Sequence, residues 1–118
     1  MALTLISQNK QHEKVSAPAV DASGANSSEA FDATAWKSLT VQVVHASHSD
    51  TSTWELQSSS DGGTNYDTIA SSSTTTSGAS GSSGVHIDDC PNALVRVTVT
   101  ETDANGSATL TPYFTAAR

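Results

Sequence analysis

Two stretches of this chain alternate apolar and polar residues with a period of two, and no run of ten residues carries an apolar stripe at helical spacing. In Leu39-Thr-Val-Gln-Val-Val-His45, the side chains of Leu39, Val41, Val43 and His45 oppose those of Thr40, Gln42 and Val44. In Leu94-Val-Arg-Val-Thr-Val-Thr100, Val95, Val97 and Val99 oppose Arg96, Thr98 and Thr100. Successive side chains of a strand point to opposite faces, so each stretch is expected to be a strand with one buried face. Shorter segments repeat the pattern. Trp54 and Leu56 oppose Glu55 and Gln57, Tyr66 to Ala70 reads as a return strand, Val85 to Ile87 is a short strand, and Leu110 and Phe114 point inward from 108–115. Asp61-Gly-Gly63 and Asp103-Ala-Asn-Gly106 are hairpin-turn signals. Pro112 has no N–H to give a ladder and is expected at an edge or a bulge. About seven or eight short strands at this spacing imply an all-β fold, a single antiparallel β-sandwich or jelly-roll-like domain.

The alternation starts only after Trp36, which divides the chain into an extended N-terminal arm and linker (1–35) and a β-sandwich body (36–118). Within the arm, Leu3 to Ile6 is expected as a short strand and Val15 to Val20 as an irregular one interrupted by Pro18. Residues 21–35, rich in Ala, Ser, Gly and Asn, are expected to be extended or looped against a neighbour. Residues 71–84 hold Ser, Thr, Gly and Ala alone and are expected as a mobile loop or an edge excursion. Large apolar side chains number 25 against 36 Ser and Thr and 16 Ala. Such a thin core places a monomer near the low end of the usual ~5–15 kcal/mol stability range. Burial against further copies or a larger partner would add to it.

The net charge of -7 arises from 12 carboxylates and 5 cations. Lys10, Lys14, Lys37, Arg96 and Arg118 are scattered along the chain, which argues against nucleic acid or an anionic membrane as partner. The first residues lack the charged segment of a secretory signal, and no apolar run approaches the ~20 residues of a membrane span. With Cys90 the sole cysteine, no intramolecular disulfide forms. Synthesis in a reducing cytoplasm is expected.

The most specific local pattern is Ser59-Ser-Asp61-Gly-Gly63-Thr-Asn-Tyr66. It resembles the Asp-box hairpin of sialidases and many other β proteins, with Asn65 where Thr is usual and Tyr66 where Trp is commonest. Its chemistry is local: the Asp carboxylate takes up turn donors, Gly supplies positive φ, and the aromatic plugs the following strand. Ser59, Asp61, Gly63 and Tyr66 are therefore assigned a structural turn. A sialidase is excluded, because Arg96 and Arg118 are too few for the arginine cluster those enzymes use.

His45 and His48 stand three apart, a spacing that sends strand side chains to opposite faces, so both read as core or surface histidines and not as metal ligands. Asp88-Asp89 reads as a solvated turn. Cys90, four residues from His86, has no further partner for nucleophilic chemistry and reads as a small buried hydrophobe. No serine lies in a Gly-x-Ser-x-Gly turn, and no glycine-rich segment has the Lys and helix of a phosphate loop. The chain is expected to be a non-enzyme without metal or cofactor. Trp54 and Tyr66 are assigned to core and plug. Trp36, with Leu3, Leu5 and Ile6 of the arm, is kept as candidate partner contact.

Taken together, residues 36–118 resemble a class of small virion proteins of tailed bacteriophages. The resemblance is carried by Leu39-Thr-Val-Gln-Val-Val, by Trp54-Glu-Leu-Gln-Ser running into Ser-Asp-Gly-Gly-Thr-Asn-Tyr66, by Val95-Arg-Val-Thr-Val99, and by Gly106-Ser-Ala-Thr-Leu-Thr111. It implies a capsid decoration (cement) protein on the virion surface, bound to the major capsid protein and to itself as a homotrimer that clamps neighbouring subunits. The arm would reach a neighbour by adding a strand to a sheet edge. Two alternatives are a tail, neck or adaptor component and a carbohydrate-binding β-sandwich with exposed aromatics.

Overall fold

In the computed structural model, residues 3–118 are described; the first two residues of the expected arm lie outside them. The strands, in chain order, are β1 (Thr4–Gln8), β2 (His12–Ser16), β3 (Val20–Asp21), β4 (Phe31–Asp32), β5 (Ser38–Ala46), β6 (Thr53–Ser59), β7 (Asp67–Thr68), β8 (Thr74–Thr75), β9 (Gly81–Ile87), β10 (Leu94–Glu101) and β11 (Thr109–Ala117). One sheet has the order β1-β2-β11-β5-β9, with β3 on β11 beside the end of β2; the other has the order β4-β10-β6-β7, with β8 on β6. The fold is an all-β antiparallel sandwich, as the alternation requires.

The two longest alternating stretches are β5 and β10. Leu39, Val41, Val43 and His45 of β5 and Val95, Val97 and Val99 of β10 are buried, and their intervening neighbours face outward. Phe114 of β11 stacks on Phe31 of β4 across the sandwich, with ring centroids 5.5 Å apart. Trp54 is fully buried and donates its Nε1–H to Ser83 Oγ of β9 at 3.1 Å. The large apolar groups are interleaved with Ala17, Ala22, Ala33, Ala108 and Ala116, so the sheets meet over a core of small residues.

The division at residue 35 does not describe the packing. Val15, Ala17, Val20, Ala22, Phe31 and Ala33 are all buried in the core. β2 and β3 lie directly against β11, and β4 against β10. Residues 21–35 thus join the two sheets of their own chain. Only the end of the hairpin, β1 with its turn, overhangs: the first sheet has five lanes and the second four. All five residues of β1 are exposed.

Pro112 sits in β11, the middle lane of its sheet, and is not at an edge. It lies opposite Val43, and its carbonyl accepts from Ala17 N at 2.9 Å. N–H and C=O of one strand residue point to the same side. The missing donor of Pro112 therefore faces the break between β2 and β3, where Pro18 already interrupts the ladder. Residues 71–84 are an edge excursion with its own order. They contribute β8 and most of β9, and Ser72 and Thr76 are buried.

Candidate functional site

The hairpin end is the most exposed apolar feature. Leu5 is 56% and Ile6 49% exposed, and Leu3 packs partly on the core. Leu5 is opposite Val15 and Ser7 opposite Lys14, so Ile6 is the extra residue of a β-bulge. The strand has no charge and no proline, two usual protections of an edge. Trp36 is half-buried and capped by Arg118, whose guanidinium carbon lies 4.4 Å from the ring centroid. The same guanidinium donates Nε–H to Lys10 O at 2.9 Å and Nη1–H to Ala35 O at 3.2 Å. Arg118 thereby brings Trp36 next to the turn that carries Lys10, whereas Leu3 lies at the other end of β1. The cations are less scattered in space than in sequence. Lys37 N donates to Ala117 O, beside His12 and Lys10, so Lys10, Lys37 and Arg118 share that end, with Lys14 nearby on β2.

The Asp-box segment closes as its residues predict. Asp61 Oδ1 accepts from Ser59 Oγ at 2.7 Å, Asn65 N at 2.9 Å and Thr64 N at 3.1 Å, while Oδ2 accepts from Asn65 Nδ2 at 2.8 Å. The backbone N–H of Asn65 is the main cause, followed by the Ser59 hydroxyl, that holds the Asp61 carboxyl well below the usual carboxylate range. Gly62 and Gly63 have φ of 79° and 96°, which explains the paired glycines. Tyr66 departs from the expected plug. It is half-buried on the outer face, with Arg96 stacked 3.7 Å from its centroid. Gln57 Oε1 gathers Arg96 Nε at 3.1 Å, Arg96 Nη2 at 2.9 Å and Thr98 Oγ1 at 2.9 Å. Glu55 continues this polar face by accepting from Thr68 Oγ1.

His45 and His48 meet, contrary to the period-two expectation. Ser47 takes a φ of 59°, ends β5 and folds the chain back. Both rings are buried, edge to face, with centroids 5.1 Å apart. His45 Nε2 lies 3.0 Å from Ser77 O and His48 Nδ1 3.1 Å from Ala46 O; carbonyls only accept, so both nitrogens carry protons. His48 Nε2 pairs with Ser52 Oγ at 2.8 Å, and His45 Nδ1 has no hydrogen-bond partner among the described residues. No group of three metal-ligating side chains forms among the described residues. His86 turns away from Cys90 to Thr40 Oγ1 at 2.7 Å and Asp88 Oδ1 at 2.8 Å. This hydroxyl–imidazole–carboxylate chain lies open on the sheet surface, with the Asp88 side chain 94% exposed. Burial, with the Asp89 charge adding, pushes the Cys90 thiol up, away from the nucleophilic thiolate.

Asp103 escaped sequence reasoning, which saw only a turn. Its buried carboxylate accepts from Asp50 N and Asn105 N, each at 2.7 Å, and from Ser49 Oγ at 3.1 Å, tying two loops together. An open pocket of about 260 Å³ lies between Pro18–Asp21 and Asn26–Glu29.

No protein-family model matches the chain, and no curated protein sequence does. Among solved structures, it is similar to the CBM22-1–GH10 modules of the Clostridium thermocellum N-terminal endo-1,4-beta-D-xylanase 10B, complexed with xylohexaose. The similarity covers 99% of this chain and 24% of that one, at 17% identity and a TM-score of 0.49. At that level it assigns this chain no activity.

Proposed function

We propose that the chain is a non-enzymatic virion component of a tailed bacteriophage, a decoration (cement) protein that binds the major capsid protein and stabilises the shell as a homotrimer. The observation that carries the assembly reading is β1, an uncharged strand overhanging its own sandwich with Leu5 and Ile6 exposed. Adjacent exposed apolar residues on an unprotected edge favour strand addition to another subunit. The sequence resemblance supports the virion setting. Contacts repeated around a shell multiply, so each one can be weak. Immunogold electron microscopy of virions from the phage encoding this chain tests the reading. Label over the shell is expected; label confined to tail or neck would move the protein there, and unlabelled virions would overturn it.

A second reading, a carbohydrate-binding module, is favoured by one observation: Tyr66 stacks with Arg96, and Arg96, Gln57 and Glu55 are joined by hydrogen bonds on the outer sheet face. Aromatic faces with polar neighbours suit sugar rings. A glycan array with wild type, Tyr66→Ala and Trp36→Ala decides. Wild-type signal lost in Tyr66→Ala would support this reading, and a blank wild-type array would remove it.

A further inference from the structure

We propose that β1 of one copy pairs in parallel with β9 of the next, so that the first sheet runs on from subunit to subunit around a closed ring. The inference rests on the assembly reading for the existence of a self-contact, and adds which edges make it.

β1 and β9 are the two outer lanes of the same sheet, and among the described residues each pairs with one strand only. Four antiparallel steps separate them, so they run in the same direction. A rotation axis roughly along the strands would set β1 of one copy beside β9 of the next in parallel, a heterologous contact that closes when the rotation does. The other sheet offers poorer edges, because β4, β7 and β8 are two residues each.

The cross-strand register supplies the matching surfaces. One row reads Leu5–Val15–Phe114–Val41–Val85, apolar from edge to edge. It ends in exposed Leu5 on one side and half-buried Val85 on the other. The next row on this face runs from Gln8 through Glu13, Ala116 and Leu39 to Ile87, which is also half-buried. Joining the edges sets Leu5 against Val85 and extends the core across the contact. Neither strand carries a carboxylate, lysine or arginine, so no like charges oppose within the ladder.

The flanking charges are complementary. Lys10 lies two residues beyond Gln8 and Asp89 two beyond Ile87, so they arrive at the same level on the two edges. Lys10 makes no ion pair among the described residues, and Asp89 makes none either. Opposite charges at a contact rim set register and partner choice, and a like pair there is costly.

A charge-swap series tests the pairing by light scattering over a concentration range on wild type, Lys10→Asp, Asp89→Lys and the double variant. Thermal melts check that each is folded. Wild type is expected to associate, each single swap to weaken association about tenfold, and the double variant to return within about twofold of wild type. Unchanged association in the single swaps, no recovery in the double variant, or a wild type that stays monomeric at millimolar concentration would each overturn the pairing. Shell labelling of virions combined with a failed rescue leaves the decoration reading standing without this contact. Rescue with unlabelled virions leaves the contact standing without that reading.

Discussion

Ser72 is buried, accepts from Leu56 N at 3.0 Å and donates to Ile69 O at 2.6 Å, so its hydroxyl completes a ladder that β7 and β8 leave interrupted. Ser28 does the same for Val97 N, and Thr76 for Ser52 N. Removing the acceptor strands a buried donor, and Ser72→Ala is expected to cost about 1–3 kcal/mol in denaturant unfolding, with exposed Ser73→Ala within ~0.5 kcal/mol of wild type. Equal values for the two would refute the role given to Ser72. Composition left 71–84 as a mobile loop or an edge excursion because hydropathy carries no trace of what a hydroxyl bonds to. Trp54, by contrast, was legible from alternation alone, and Trp54→Ala is expected to cost about 3–5 kcal/mol. Asp103 acts through pH. Burial raises its pKa, but the donors of Asn105, Asp50 and Ser49 together outweigh that and hold it at about 2, against an ordinary 3.8. The folded value lies below the unfolded one, so this stabilisation is complete above about pH 4 and is lost as pH falls through the folded value. Asp21, Asp32 and Asp61 are lowered too and act in the same direction. The melting temperature is expected to drop between about pH 4 and pH 2, and Asp103→Asn to flatten part of that drop while lowering the midpoint at neutral pH. A midpoint that rises on acidification would contradict the assignment.

The hairpin, as an element, separates what the fold needs from what overhangs it. β2 contributes Val15 to the core, and the chain after it contributes Ala17 and Val20, whereas β1 is exposed throughout. Deleting 1–9 is expected to leave a cooperative melt within a few degrees of the full chain. Deleting 1–20 removes two buried valines, each contributing about 1.5–3 kcal/mol, and the lane that covers β11. Set against a margin of ~5–15 kcal/mol, that deletion is expected to give an unfolded or aggregated chain, read by circular dichroism. Two folded products would show that 10–20 is dispensable and would contradict the core role given to Val15 and Val20. Sequence reading found β5, β6, β10 and β11 because each alternates over four or more residues. It reached Val20 of β3 through the irregular strand broken at Pro18, lost β4, two residues long, and set the arm too long, since Ala and Ser conceal burial that only neighbouring strands reveal. Pro112 misled for a related reason: an edge was inferred from one missing donor, but the gap opposite it belongs to Pro18.

For the whole molecule, the sandwich itself was legible, and so was the thinness of its core, which shows in the alanines between the sheets. What sequence could not show is how charges and edges gather. Lys10, Lys37 and Arg118, far apart in the chain, meet where the hairpin turn, the start of β5 and the end of β11 adjoin. There Arg118 stacks on Trp36. The assembly reading rests on the exposed β1 edge joining one subunit to another. The most direct measurement is the solution mass of the full chain by light scattering, beside the chain lacking 1–9. Three times the 12.1 kDa chain mass is expected for the first and a folded monomer for the second. A full chain that remains a 12.1 kDa monomer at every concentration, or a trimer that survives the deletion, would contradict the assembly reading.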